Sequence, residues 1–143
     1  MDRSTTTPDE HIGTLPDGVR EDVAALDARI AGIMAGHERV LWEGVFWGGS
    51  QQRIIGYGSY RYKGRSGAEG EWFVVGLAAQ KNYLSLYVNA ADGGTTLPKL
   101  YASRLGKVKA GSGNIQFKRA ADLDLDVLDE MVARARGLAL PAR

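Results

Sequence analysis

His11 and His37 are the two histidines of the chain, and a serine hydrolase would need one of them between a nucleophile and a carboxylate. No G-x-S-x-G elbow accompanies either, so His37, just past the first helical pattern, reads as a helix-end histidine. Asp122, Asp124 and Asp126 alternate with leucines, and clustered carboxylates are what hard cations bind. The spacing lacks the glycine and distal glutamate of an EF-hand loop, and aspartates opening a helix are also what capping and the helix dipole select. Lys107 and Lys109 precede Gly111, Ser112 and Gly113, and glycine-rich backbone beside ammonium groups can hold an anion. Phosphate loops feed a helix N-terminus, whereas this turn feeds a strand, so a bulged turn between solvated lysines is the competing reading.

Aromatic side chains form the larger group. Trp42, Trp47, Tyr57, Tyr60, Tyr62, Trp72, Tyr83 and Tyr87 cluster in the strand-forming half, with Gly76 and Ala78 leaving room over part of one face. Small residues beside aromatics can floor a pocket in which tyrosine hydroxyls orient a ligand, or can let a helix dock close to the sheet. In "WFVVGLAAQKNYLSLYV", residues 72–88, Lys81 and Asn82 stand between two apolar runs. Lys81 is first a turn residue, and second an ammonium group presented to an anionic ligand or a partner.

The elements that must position these groups follow from periodicity. Residues 1–13 show no period and little apolar content, which predicts a loose tail ahead of a domain over 14–140. Val19, Val23, Leu26, Ile30, Ile33 and Met34 recur every three or four residues, which predicts an N-terminal helix with acidic residues early and Gly36 as its stop. Residues 39–76 are aromatic, β-branched and broken by glycines, as strands joined by turns are, with a loop in "GRSGAEGE". Residues 72–79 are uniformly apolar, as a central strand is. Leu84, Leu86 and Val88 alternate with Tyr83, Ser85 and Tyr87, and a three-residue "QKN" loop with Asn82 left-handed would join the two strands. Thr95 or Thr96 is placed to cap a short helix carrying Pro98 in its first turn; a glycine turn and a short strand ending near Lys118 follow. Leu125, Leu128, Met131, Val132 and Ala135 make the stripe of a C-terminal helix. The expected fold is α+β, a single domain with a mostly antiparallel sheet of about five strands packed with an N-terminal helix, a short middle helix and a C-terminal helix.

Composition narrows the function classes. The 143 residues carry 18 basic and 17 acidic side chains, so no general charge drives the chain toward nucleic acid or an anionic membrane, and neither is an expected partner. Cysteine is absent, which removes disulfides, thiolate metal sites and cysteine nucleophiles. No apolar run approaches the ~20 residues of a membrane span and the opening residues lack the pattern of a signal peptide, so the expected location is cytoplasmic.

The segments "LWEG", "IIGYGSYRY", "GEWFVVG", "QKNYLSLYV", "LGKVKAGSGNIQFK" and "DLDLDVLDEMV" resemble, in order and approximate spacing, the YdhG-like family of domains of unknown function, over most of residues 15–137. The resemblance implies a small cytoplasmic α+β protein, and, from some members described as frataxin-like, iron delivery. Lys81 matches the hairpin lysine of the family, while many relatives have lysine where this chain has Ser112. Three functional expectations result. The first is a non-enzymatic binding or accessory domain with no cofactor, contacting a small anionic molecule or a protein partner through Lys81, Tyr57, Tyr60, Trp72, Tyr83, Tyr87, Lys107 and Lys109. The second is an iron chaperone using the first-helix carboxylates Asp17, Glu21, Asp22 and Asp27, or Asp122, Asp124 and Glu130. The third is an enzyme with a lysine or tyrosine as acid or base.

Overall fold

The computed structural model describes residues 2–46, 50–63, 67 and 69–139. In chain order the elements are β1 (Asp2–Arg3), α1 (Pro8–Gly13), α2 (Val19–Ile33), β2 (Arg39–Phe46), β3 (Ser50–Lys63), β4 (Glu69–Ala79), β5 (Leu84–Val88), β6 (Ala91–Asp92), β7 (Thr95–Thr96), α3 (Leu97–Tyr101), β8 (Lys109–Ala110), β9 (Asn114–Phe117) and α4 (Leu125–Ala139). The fold is α+β. One antiparallel sheet runs in the order β1-β2-β3-β4-β5-β9-β8, with the apolar β4 at its centre and two-residue strands at both edges. β6 and β7 form a small separate ribbon.

The two long helices cover one face of the sheet. Val23, Leu26, Ile30 and Met34 fall three or four residues apart and are all buried, as are Leu128, Met131, Val132 and Ala135 of α4. They meet Leu41, Ile55, Val75, Leu77, Leu84, Leu86, Ile115 and Phe117 from the strands in one continuous core. Each fully buried Leu or Ile contributes about 1.5–3 kcal/mol relative to exposure, so this layer dominates stability. Polar contacts then fix the helices in register: Arg29 on α2 grips Asp129 on α4 through Nε and Nη2 at 2.7 and 2.8 Å, and Arg136 Nη1 donates to the Ile33 carbonyl at the end of α2.

The opposite face of the sheet carries its own aromatic layer. Trp42, Ile54, Phe73, Ala78 and Tyr87 are buried there with Trp72 against them, the Trp72 and Phe73 ring centroids 4.3 Å apart. Gly56 pairs across the strands with Gly76, and this pair makes room for the layer. A Cβ at Gly56 would lie 2.7 Å from the Trp42 ring and one at Gly76 2.5 Å from the Phe73 ring. The space expected over Gly76 is therefore filled by neither a helix nor a pocket but by Phe73. The period of two slips locally to allow this. Val74 and Val75 both join the helix-side core, across from Gly58, whose φ of 73° costs little only for glycine.

Residues 2–13 are not a loose tail. Asp2 and Arg3 pair with Glu43 and Trp42 of β2, and the Arg3 guanidinium sits 5.0 Å from the Trp42 ring while pairing with Glu38 and Glu71. Thr7 and Glu10 form a reciprocal capping box, Thr7 Oγ1 accepting from the Glu10 N–H and Glu10 Oε1 from the Thr7 N–H, with Pro8 in the first turn. One helical turn then buries Pro8, His11 and Ile12. Too few apolar residues occur to show a period, but the caps satisfy the backbone and Ile12 reaches the main core. Two smaller expectations also change. Thr96 stands at the N-cap of α3 without a side-chain capping bond, and Asn82 is not left-handed.

Burial of His11 gives stability a pH dependence. Desolvation, aided by the Arg53 charge and opposed by Glu43, lowers its pKa from 6.5. The unfolded chain thus takes up a proton that the folded chain resists. This contribution is complete above the unfolded pKa and is lost as pH falls below about 6.5. Asp22, held down chiefly by Arg119, and Glu38, held down chiefly by Arg3, add losses at lower pH as each falls through its depressed folded value. The urea midpoint is expected to drop between pH 7 and pH 5, with a shallower drop for His11→Gln; equal slopes for the two chains would remove His11 from the account.

Candidate functional site

β9 enters the sheet beside β5, and the short β8 closes that edge. The register sets Leu84 opposite Phe117, Ser85 opposite Gln116 and Tyr87 opposite Asn114. Ile115 and Phe117 point into the helix-side core, so Asn114 and Gln116 face the other way. Gly111 and Asn114 close the β8–β9 turn through an N–H···O=C bond of 2.8 Å, and the Asn114 side chain folds over it: a Cβ on Gly111 would lie 2.7 Å from Asn114 Oδ1. Asn114 Nδ2 in turn donates to the buried Ser85 hydroxyl at 3.3 Å.

Two adjoining clefts result. The first, about 390 Å³, is lined by Gln52, Gln80, Tyr83, Tyr87, Gly113, Asn114 and Gln116, with no charged side chain. Gln80 Nε2 donates to Gln52 Oε1 at 2.7 Å across its rim. The second, about 600 Å³, is lined by Asn82, Tyr83, Lys107, Val108, Lys109, Gln116, Phe117, Lys118 and Asp122. Three ammonium groups face one carboxylate there. Among the described residues none of the three lysines forms an ion pair, whereas Arg3, Arg29, Arg39, Arg104, Arg119 and Arg134 are all committed to carboxylates. The basic charge of the structural pairs is thus arginine, and lysine is left at the cleft.

The structure brings some of the sequence candidates together and separates others. Tyr83, Lys107 and Lys109 meet in the second cleft, and Tyr83 and Tyr87 in the first. Lys81 lies at the exposed tip of the turn, closed by a 2.8 Å bond from the Gln80 N–H to the Tyr83 carbonyl, and lines neither cleft. The loop spans residues 80–83 between Ala79 and Leu84, one residue longer than the expected three, with Lys81 and Asn82 at its tip. Tyr57 is fully buried; its hydroxyl donates to Asp27 Oδ1 at 2.6 Å, and burial, then the Asp27 charge, pushes its phenol well above 10. Tyr60 lies apart on a shallow surface with Val88, Asn89 and Thr96, its pKa raised by burial and then by Tyr62. Trp72 belongs to the aromatic layer, and Trp47 lies outside the described residues.

Most of the carboxylates expected to hold iron make contacts within the fold. Asp124 Oδ1 accepts from the Val127 N–H at the start of α4, Asp122 Oδ2 from the Arg119 N–H, and Glu130 pairs with Arg104. In the first helical segment Asp17 pairs with Arg20, Asp22 with Arg119 and Asp27 with Arg39. Among the described residues no group of three or more histidine or carboxylate side chains lies close enough together to hold a metal ion. No described helix is long and apolar enough to cross a membrane.

Sequence reasoning missed Lys118 and the four amides Gln52, Gln80, Asn114 and Gln116. The signal for Asn114 and Gln116 was present, as polar residues alternating with Ile115 and Phe117. Comparison with family models, curated proteins and solved structures finds no match to this chain.

Proposed function

We propose that the protein is a binding module for a small anionic ligand, held in the cleft between the β8–β9 edge and the β4–β5 turn. The observation that carries this reading is the convergence of Lys107, Lys109 and Lys118, free of ion pairs among the described residues, around Tyr83 and an apolar floor of Val108 and Phe117. Lysine supplies three rotatable donors on a flexible stem, which suits a compact anion such as a phosphate. Tyr83 is 37% exposed and makes no side-chain hydrogen bond among the described residues, so its hydroxyl is available as a further donor. Lys81 adds to the positive field at the mouth without forming the wall.

The test is a titration with inorganic phosphate and pyrophosphate, followed by NMR at the backbone amides of residues 107–109 and 116–118. Saturable shifts confined to these residues are expected, weakening as salt is raised. Removing the charge in Lys107→Gln/Lys109→Gln/Lys118→Gln is expected to lower affinity by roughly tenfold or more, since exposed ionic contacts contribute up to about 1 kcal/mol each. Unchanged affinity in that variant would sink the assignment, and Lys81→Ala separates the tip from the cleft by having a smaller effect.

A further inference from the structure

The two clefts share Tyr83 and Gln116, so one molecule can occupy both. Their chemistries are complementary parts of a single ligand. The lysine cleft presents positive charge. The amide cleft presents none: its polar lining is Gln52, Gln80, Asn114 and Gln116 with the hydroxyls of Tyr83 and Tyr87. A carboxamide offers donor and acceptor side by side in one plane, which matches a ring edge carrying both in the same arrangement. The planes of three of these amides are set by the protein. Gln52 and Gln80 hold each other at 2.7 Å and Asn114 is fixed to Ser85, while the Gln116 side chain has no hydrogen-bond partner among the described residues. The exposed Tyr83 ring stands where the clefts join and supplies an aromatic surface on which a planar base can stack. A cleft of about 390 Å³ lies within the range that takes a small ligand.

We propose that the ligand is a nucleoside monophosphate, its base read by Gln116 and the Gln52–Gln80 pair and its phosphate held by Lys107, Lys109 and Lys118. This rests on the anion-binding reading of the lysine cleft and adds the identity of the neutral part. A sugar phosphate shares the anionic group but lacks a planar base to stack on Tyr83 and a coplanar donor–acceptor edge to meet the carboxamides.

The experiment is calorimetry on the whole chain with adenosine, guanosine, cytidine and uridine monophosphates, ribose 5-phosphate, adenosine and inorganic phosphate. At least one nucleoside monophosphate is expected to bind tenfold or more tightly than both ribose 5-phosphate and inorganic phosphate. Gln52→Ala and Gln116→Ala are expected to lower nucleotide affinity at least fivefold while leaving phosphate affinity unchanged, which also shows that the variants are folded. If Gln52→Ala unfolds because Gln80 loses its partner, Gln116→Met carries the test. Ribose 5-phosphate binding as tightly as every nucleotide, or glutamine variants without effect, would overturn the proposal and leave the anion site standing. Adenosine bound without any phosphate contribution would overturn both.

Discussion

Gly106→Ala is expected to destabilise the chain by roughly 3 kcal/mol or more, from backbone strain of about 1–3 kcal/mol and a similar overpacking cost. Gly106 has a φ of 107°, which L side chains rarely adopt, and a Cβ there would lie 2.2 Å from the Asp122 carbonyl oxygen. The obstacle is backbone, so no rotamer change relieves it. That carbonyl already accepts from the Lys107 N–H at 2.9 Å, and the Asp124 N–H donates to the Leu105 carbonyl at 2.8 Å, so segments 105–107 and 122–124 are stitched together around the glycine. The same stitching sets the start of α4 and places Lys107 in the wall of the second cleft. The melting temperature should fall by roughly 10 °C, and phosphate affinity should fall in any fraction that remains folded. A variant as stable as the parent would mean that the 105–107 segment is not held against 122–124 as described.

Much of the fold is legible because periodicity reports burial directly. The stripes of α2 and α4 and the alternation of β5 are local signals, and each names the face that meets the core. The capping box in "TPDE" was equally local, with a threonine, a proline in the first turn and a glutamate three residues on, and it is the signal that separates the N-terminal helix from a tail. The site was harder to read because it is assembled from β3, the β4–β5 turn, β9 and the segment around Lys107 by a sheet order that does not follow the chain. No spacing in the sequence brings Gln52 to Gln80 or Lys118 to Lys107. Tyrosine shows the same limit from the other side. Tyr57 and Tyr83 are alike in a list of strand aromatics, yet one closes a buried network beneath the helices and the other lines two clefts, and that difference is decided by which sheet face α2 covers.

That buried network carries the other large expected effect. Asp27 is 8% exposed on the inner face of α2, and Arg39 grips it from β2 through Nε and Nη2 at 2.9 and 2.7 Å while Tyr57 donates from β3 at 2.6 Å. Arg39 also reaches Asp9 on α1 at 2.8 Å, so one carboxylate and one guanidinium join four elements. Asp27→Ala removes the shared acceptor and leaves the Tyr57 O–H buried without an acceptor and the guanidinium half-paired. Breaking a buried pair by deleting one member costs about 3–5 kcal/mol, and the partial exposure of Arg39 places the expected loss near the lower end, at roughly 3 kcal/mol. Tyr57→Phe removes one donor and leaves the ion pair intact, so about 1 kcal/mol is expected from it. In the double variant the tyrosine no longer has an acceptor to lose, and the two losses should therefore sum to less than their separate values by at least about 1 kcal/mol. Urea denaturation of the four chains measures this coupling. Strict additivity would mean that Tyr57 and Asp27 do not act on each other, and an Asp27→Ala chain within about 0.5 kcal/mol of the parent would show that the network holds the fold no more tightly than a surface pair does.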